Sequence, residues 1–114
     1  MTITLNDIRY NVITNRNITV KDLISNLPLN LTLSRYAEHE YNAELPFVPQ
    51  NAKESTSNIK AGHIYYWDGW NSFVLNFENM NISPYKVVEI GKIDSENFAD
   101  ILRKSGSRIH ISVE

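Results

Sequence analysis

Three histidines, His39, His63 and His110, are the side chains best suited to proton transfer or metal ligation near neutral pH. They form no His-x-His pair and no His-Glu-x-x-His helix. A metal site would therefore have to be assembled across the fold, with Glu38, Glu40 or Glu44 completing it. The preferred reading is a set of separate surface or strand histidines, with no metal and no cofactor. His39 and Glu40 are adjacent; in extended chain their side chains point to opposite faces and form no local acid–base pair. Nucleophiles are equally sparse. The chain has no cysteine, Ser34 and Ser72 lie outside any nucleophile elbow, and no glycine-rich phosphate loop occurs. Hydrolase and nucleotide-binding readings are set aside, and no residue is assigned a catalytic role.

The most distinctive cluster is aromatic: Tyr65, Tyr66, Trp67 and Trp70 surround Asp68-Gly69. Alternation along a strand places Tyr65 and Trp67 on one face and Tyr66 on the other. The simpler reading makes one face core and leaves the remainder to cover a hairpin. The binding reading has Trp67 or Trp70 line a groove with Arg35, Tyr36 and His39 opposite, able to take a peptide or a small molecule.

Short strands and two helices must position these residues. Apolar and polar side chains alternate over Thr2 to Leu5 and again over Ile8 to Val12, with Asn6-Asp7 as the turn between them. A helix near 20–27 follows. Thr19 is its expected cap, Asp22 its capping-box partner, and Val20, Leu23, Ile24 and Leu27 its apolar stripe; Pro28 ends it. Further strands run from Leu29 to Leu33, Tyr41 to Leu45, His63 to Trp67, Ser72 to Phe77, Tyr85 to Ile93 and Ile109 to Val113. Pro46 to Ser57 reads as a long functional or covering loop. Asp68-Gly69 predicts a tight hairpin turn, and Gly91 a bulge or bend. A second helix near 95–104 takes Asp94 as cap, buries Phe98, Ile101 and Leu102, and stops at a left-handed Gly106. Eight short amphipathic strands are best accommodated by closure, because a flat sheet would leave long edges exposed. The expected fold is mainly β, a closed eight-stranded barrel with two short helices.

Composition narrows the function by exclusion. The 114 residues suit one domain with one core. Without cysteine there is no disulfide framework, which fits a reducing cytoplasm. The formal charge is −2 with acids and bases interspersed, and no basic run marks a nucleic-acid binder. The start Met1-Thr2-Ile3-Thr4-Leu5 lacks the basic and apolar regions of a signal peptide. No apolar run approaches the ~20 residues of a membrane span. The expectation is a cytoplasmic domain with neither membrane nor nucleic acid as partner.

The order of several segments resembles a bacterial family of small cyclophilin-like proteins. They are Leu27-Pro28-Leu29 leading into Leu31-Thr32-Leu33, then Tyr41-Asn42-Ala43-Glu44-Leu45-Pro46, Ile59-Lys60-Ala61-Gly62-His63-Ile64, and Tyr85 to Asp94 with Ile90-Gly91-Lys92-Ile93 at its centre. The resemblance implies an eight-stranded cyclophilin-type barrel with a helix near each open end. One departure is His63, where that family usually carries an acid. The prolyl isomerases among cyclophilins resemble one another in a Phe-His-Arg strand and a Gln-Gly-Gly-Asp loop, and neither motif occurs here. Arg35 lies in the corresponding early region without the expected neighbours.

Three readings stand in order of preference: a non-catalytic binding module for a peptide or small ligand; a weak or degenerate prolyl isomerase with Arg35 as its electrostatic element; and a module that pairs with itself or another chain through the aromatic hairpin. Oligomeric state is left open.

Overall fold

Alternating apolar residues resolve into ten strands, eight of which close on one another. The computed structural model describes Met1–Glu114. The strands are β1 (Thr2–Leu5), β2 (Ile8–Thr14), β3 (Leu29–Tyr36), β4 (Glu40–Glu44), β5 (Asn58–Ile59), β6 (His63–Trp67), β7 (Ser72–Asn76), β8 (Met80–Asn81), β9 (Val88–Ile93) and β10 (Arg108–Val113). The closed antiparallel barrel runs β1-β10-β3-β4-β7-β6-β9-β2, and β5 pairs with β8 in a separate two-stranded flap. The helices are α1 (Ile18–Ser25) and α2 (Phe98–Arg103). The expected fold class is the one observed.

Inward positions follow from the period of two. Ile3 and Leu5, Leu29, Leu31 and Leu33, Ile64 and Tyr66, Phe73 and Leu75, and Ile109, Ile111 and Val113 meet in one buried cluster. Asn6 and Asp7 close the first hairpin with φ of 52° and 64°, the primed-turn geometry whose twist matches the flanking strands. Gly91 sits at the expected bulge. Ile64 pairs with Gly91 but Tyr65 with Glu89, so Ile90 is the extra residue and the inward set changes parity from Val88 and Ile90 to Ile93. A Cβ on Gly91 would lie 2.5 Å from the Ile13 carbonyl oxygen, closer than packed atoms approach.

Several local expectations are corrected. The cap of α1 is Asn17, whose Oδ1 accepts from the Val20 amide at 2.9 Å. Thr19 is buried instead, donating to the Gln50 carbonyl at 2.6 Å and accepting from the Ala52 amide at 2.8 Å. Asp22 accepts from the Gln50 amide at 2.7 Å. Both side chains therefore clamp the Pro46–Ser57 stretch, a partnership that local spacing does not reveal. Ile24 of the expected stripe is exposed. Asn97, not Asp94, precedes α2 and makes no side-chain cap bond. Gly106 is not left-handed; α2 is closed by tertiary contacts described below. Gly69 is not left-handed either. Asp68–Trp70 forms a 3₁₀ turn, and Asn71 takes the left-handed backbone at φ 47°. Its side chain accepts from the Tyr66 hydroxyl and donates to the Leu45 and Phe47 carbonyls, which explains why an asparagine serves there. The strand expected from Tyr85 starts at Val88, because the preceding residues belong to the flap connection.

Candidate functional site

Strands β6 and β7 are largely buried on both faces, the pattern of strands covered on both sides. Tyr66 and Phe73 point into the barrel, whereas Tyr65 and Val74 lie outside it, in a second buried cluster with Ile59 and Val87. The cover is the β5/β8 flap. Two side chains rooted in the barrel wall fasten its base. The Tyr65 hydroxyl accepts from the Lys60 amide at 2.9 Å, and Asn76, fully buried, donates to the Lys60 and Glu78 carbonyls at 3.0 and 2.6 Å. Burial of the Tyr65 phenol pushes its pKa up to about 12.

Between flap, wall and the β3–β4 turn lies a half-open hollow of about 180 Å³. Tyr36, Ala37, His39 and Glu40 come from the turn, Tyr65, Trp67 and Val74 from the wall, and Ile59, Ile82, Tyr85 and Val87 from the flap. Its rim is a chain of rings. Trp67 stands 4.5 Å from Trp70 and 6.0 Å from Tyr85, and Tyr36 stands 5.3 Å from Trp70. Trp70 and Tyr85 are 49% and 61% exposed, enough for both to meet a partner.

Glu40 and His39 are the polar lining. Glu40 is 7% exposed, and burial raises its carboxyl above the ordinary value, opposed by a hydrogen bond from Asn42 and by the charge of His39. Its Oε2 accepts from Asn42 Nδ2 at 3.0 Å, and its Oε1 lies 3.4 Å from His39 Nδ1. The same nitrogen is 3.4 Å from Asn76 Oδ1. With both Asn76 Nδ2 bonds spent on carbonyls, Oδ1 is an acceptor, so we assign the proton on His39 to Nδ1. The expectation that His39 and Glu40 point apart is therefore corrected. It holds for extended chain, but Ala37 and Glu38 are left-handed, at φ 54° and 58°, and His39 belongs to the turn they make. Such backbone costs about 1–2 kcal/mol per non-glycine residue and tends to accumulate at functional sites.

Of the residues expected around a groove, Tyr36, His39 and Trp67 line the hollow and Trp70 packs against two of its rings. Arg35 does not join them. Alternation turns it to the opposite face from Tyr36, where its guanidinium donates to the Tyr41 hydroxyl at 3.0 Å and to the Leu102, Arg103 and Ser105 carbonyls at 3.3, 3.1 and 3.1 Å. It also lies 4.6 Å from the Phe77 ring centre. With Tyr41, which donates to the Gly106 carbonyl at 2.6 Å, it satisfies the orphan acceptors at the end of α2. The other two histidines stand elsewhere. His63 pairs with Glu89 and stacks near Tyr65, and His110 Nδ1 is 3.0 Å from Thr32 Oγ1.

The model of the Cyclophilin-like family matches residues 3–114. The chain belongs to that family. A solved relative in fold is the hypothetical protein AF2241 from Archaeoglobus fulgidus, determined in solution. It superposes with a TM-score of 0.70 at 19% identity, over 99% of this chain and 91% of that one. At that identity the likeness concerns the cyclophilin-like barrel alone. No curated protein matches the chain. The flap side chains Ile59, Ile82, Tyr85 and Val87 were missed by sequence reasoning about this cyclophilin-like domain. The signal that points to them is Tyr65 and Val74, apolar residues on the strand face opposite Tyr66 and Phe73.

Proposed function

We propose that this cyclophilin-like domain is a binding module that takes a small group, from a peptide or a free small molecule, into the hollow beneath the flap. The observation that carries the reading is the concave, ring-lined hollow itself, with a buried carboxyl and an imidazole as its polar groups. Sites of this kind combine apolar walls with a few polar groups that orient the ligand. The volume is near the roughly 150 Å³ of an engineered cavity that holds benzene. One ring or one branched side chain is therefore the appropriate occupant.

Nuclear magnetic resonance titration with benzyl alcohol and cyclohexanol tests this. Ligands of this size are expected to bind at about millimolar Kd, shifting the Trp67 indole N–H and the amides of Tyr36 and Val87, and Trp67→Ala should abolish the shifts. Shifts scattered over the surface, or none at all, would defeat the proposal.

The exposure of Trp70 and Tyr85 favours a second reading, in which the same rim pairs with another copy of the chain. Light scattering decides it. A dimer that Trp70→Glu converts to a monomer supports self-pairing, and a monomer at high micromolar concentration removes it.

A further inference from the structure

We propose that the group accepted by the hollow is an alkylated ammonium, held by the aromatic walls and by the Glu40 carboxylate. The inference rests on the binding reading above and names its ligand class. Glu40 is buried in an apolar enclosure with one full hydrogen bond, from Asn42 to Oε2; Oε1 has His39 Nδ1 at 3.4 Å, a proton shared with Asn76 Oδ1. A carboxylate so placed has no lysine or arginine beside it, only the His39 imidazole at 3.4 Å, and an incompletely compensated buried charge is costly. No lysine or arginine lines the hollow. Tyr36, Tyr65, Trp67 and Tyr85 do, and aromatic rings attract a cation through the negative potential of their faces. Rings with one acid on the floor therefore complement a compact cation better than a neutral group.

The degree of alkylation follows from the same lining. A primary ammonium carries three N–H donors and a tightly held water shell, and the hollow has too few acceptors to replace that shell. A trimethylated nitrogen has no donors to satisfy, and its methyl groups suit the apolar walls. About 180 Å³ accommodates such a head while the remainder of the ligand leaves past the rim.

Choline and its uncharged isostere 3,3-dimethylbutan-1-ol separate charge from shape. Titrations at pH 7 followed at the Trp67 indole N–H should give choline about tenfold tighter binding than the alcohol. Glu40→Gln, which keeps the shape and removes the charge, should erase that preference. Tyr85→Ala, at a flap position that is 61% exposed, should weaken choline by about threefold or more, and it supplies a readout even if the Glu40 variant fails to fold. Equal affinities for the two probes, or a preference that survives Glu40→Gln, would overturn the inference. Binding of the alcohol would then leave the binding module standing. If neither probe binds, the ammonium proposal falls, and the benzyl alcohol and cyclohexanol titrations judge the module by themselves.

Discussion

Glu40 shows how burial converts an ordinary carboxyl into a pH-sensitive element. Burial raises its folded-state pKa above the unfolded value of 4.5. The neutral form is therefore the one that folding favours. Its contribution to stability is intact below the unfolded pKa and is lost as pH rises through the folded one. Replacing it by a neutral isostere removes the penalty at neutral pH. We expect Glu40→Gln to raise the denaturation midpoint relative to the parent at pH 7 and to narrow that advantage at pH 4. A constant difference across this window would show that the carboxyl titrates normally in the fold. Arg35 is the opposite case, a charge that the fold binds through Nη1. Its bonds to the end of α2 imply that Arg35→Met costs about 2–3 kcal/mol by urea denaturation, within the range for hydrogen bonds to charged groups. A guanidinium committed to three carbonyls is not placed beside a prolyl amide, so a protease-coupled assay on an Ala-Pro peptide should show only the uncatalysed rate. Acceleration that disappears in a folded Arg35→Met variant would restore the isomerase reading.

Elements act here through the places where they break their own regularity. The bulge in β9 lets Glu89 face the outside with His63 while Ile90 and Ile93 both face the core. That geometry brings Gly91 against the β2 backbone, where a methyl group has 2.5 Å to the Ile13 carbonyl oxygen. Gly91→Ala should therefore destabilise the domain by about 1–3 kcal/mol, the usual cost of overpacking, and chemical denaturation measures it. An unchanged midpoint would mean that β2 moves aside freely. The turn between β3 and β4 is irregular in another way. Two left-handed residues in succession fold His39 back beside Glu40, and the same turn delivers Tyr36 and Ala37 to the hollow.

At the scale of the whole molecule, closure is what makes an outer-wall site available. The closed barrel encloses the core on its inner face, so Tyr65, Trp67 and Val74 on the outer wall are free to support a second apolar layer. The flap completes that layer incompletely, and the gap is the hollow. No helix of the fold is long and apolar enough to cross a membrane. The exposed rings of Tyr36, Trp70 and Tyr85 form a rim on one side of the barrel, the side that the proposed ligand or second copy would meet.

The number and spacing of the barrel strands, the Asn6-Asp7 hairpin and the irregularity at Gly91 were legible in the sequence, because each depends on residues two to four apart or on one residue's backbone freedom. The separation of Tyr65 and Trp67 from Tyr66 was legible for the same reason. Alternation also placed Arg35 and Tyr36 on opposite faces, so grouping them in one groove ignored the rule that had ordered the other strands. Local reasoning failed where partners lie far along the chain. Thr19 and Asp22 carry a capping pattern, yet Gln50 and Ala52 claim them. Gly106 looks like a helix stop, yet Arg35 and Tyr41 close α2 from strands some 60 residues earlier, as the separations of 61 to 70 residues in these bonds show. The hollow itself belongs to this second class. Its turn, wall and flap are distant in sequence, and only the closed fold decides which of their side chains enclose Glu40.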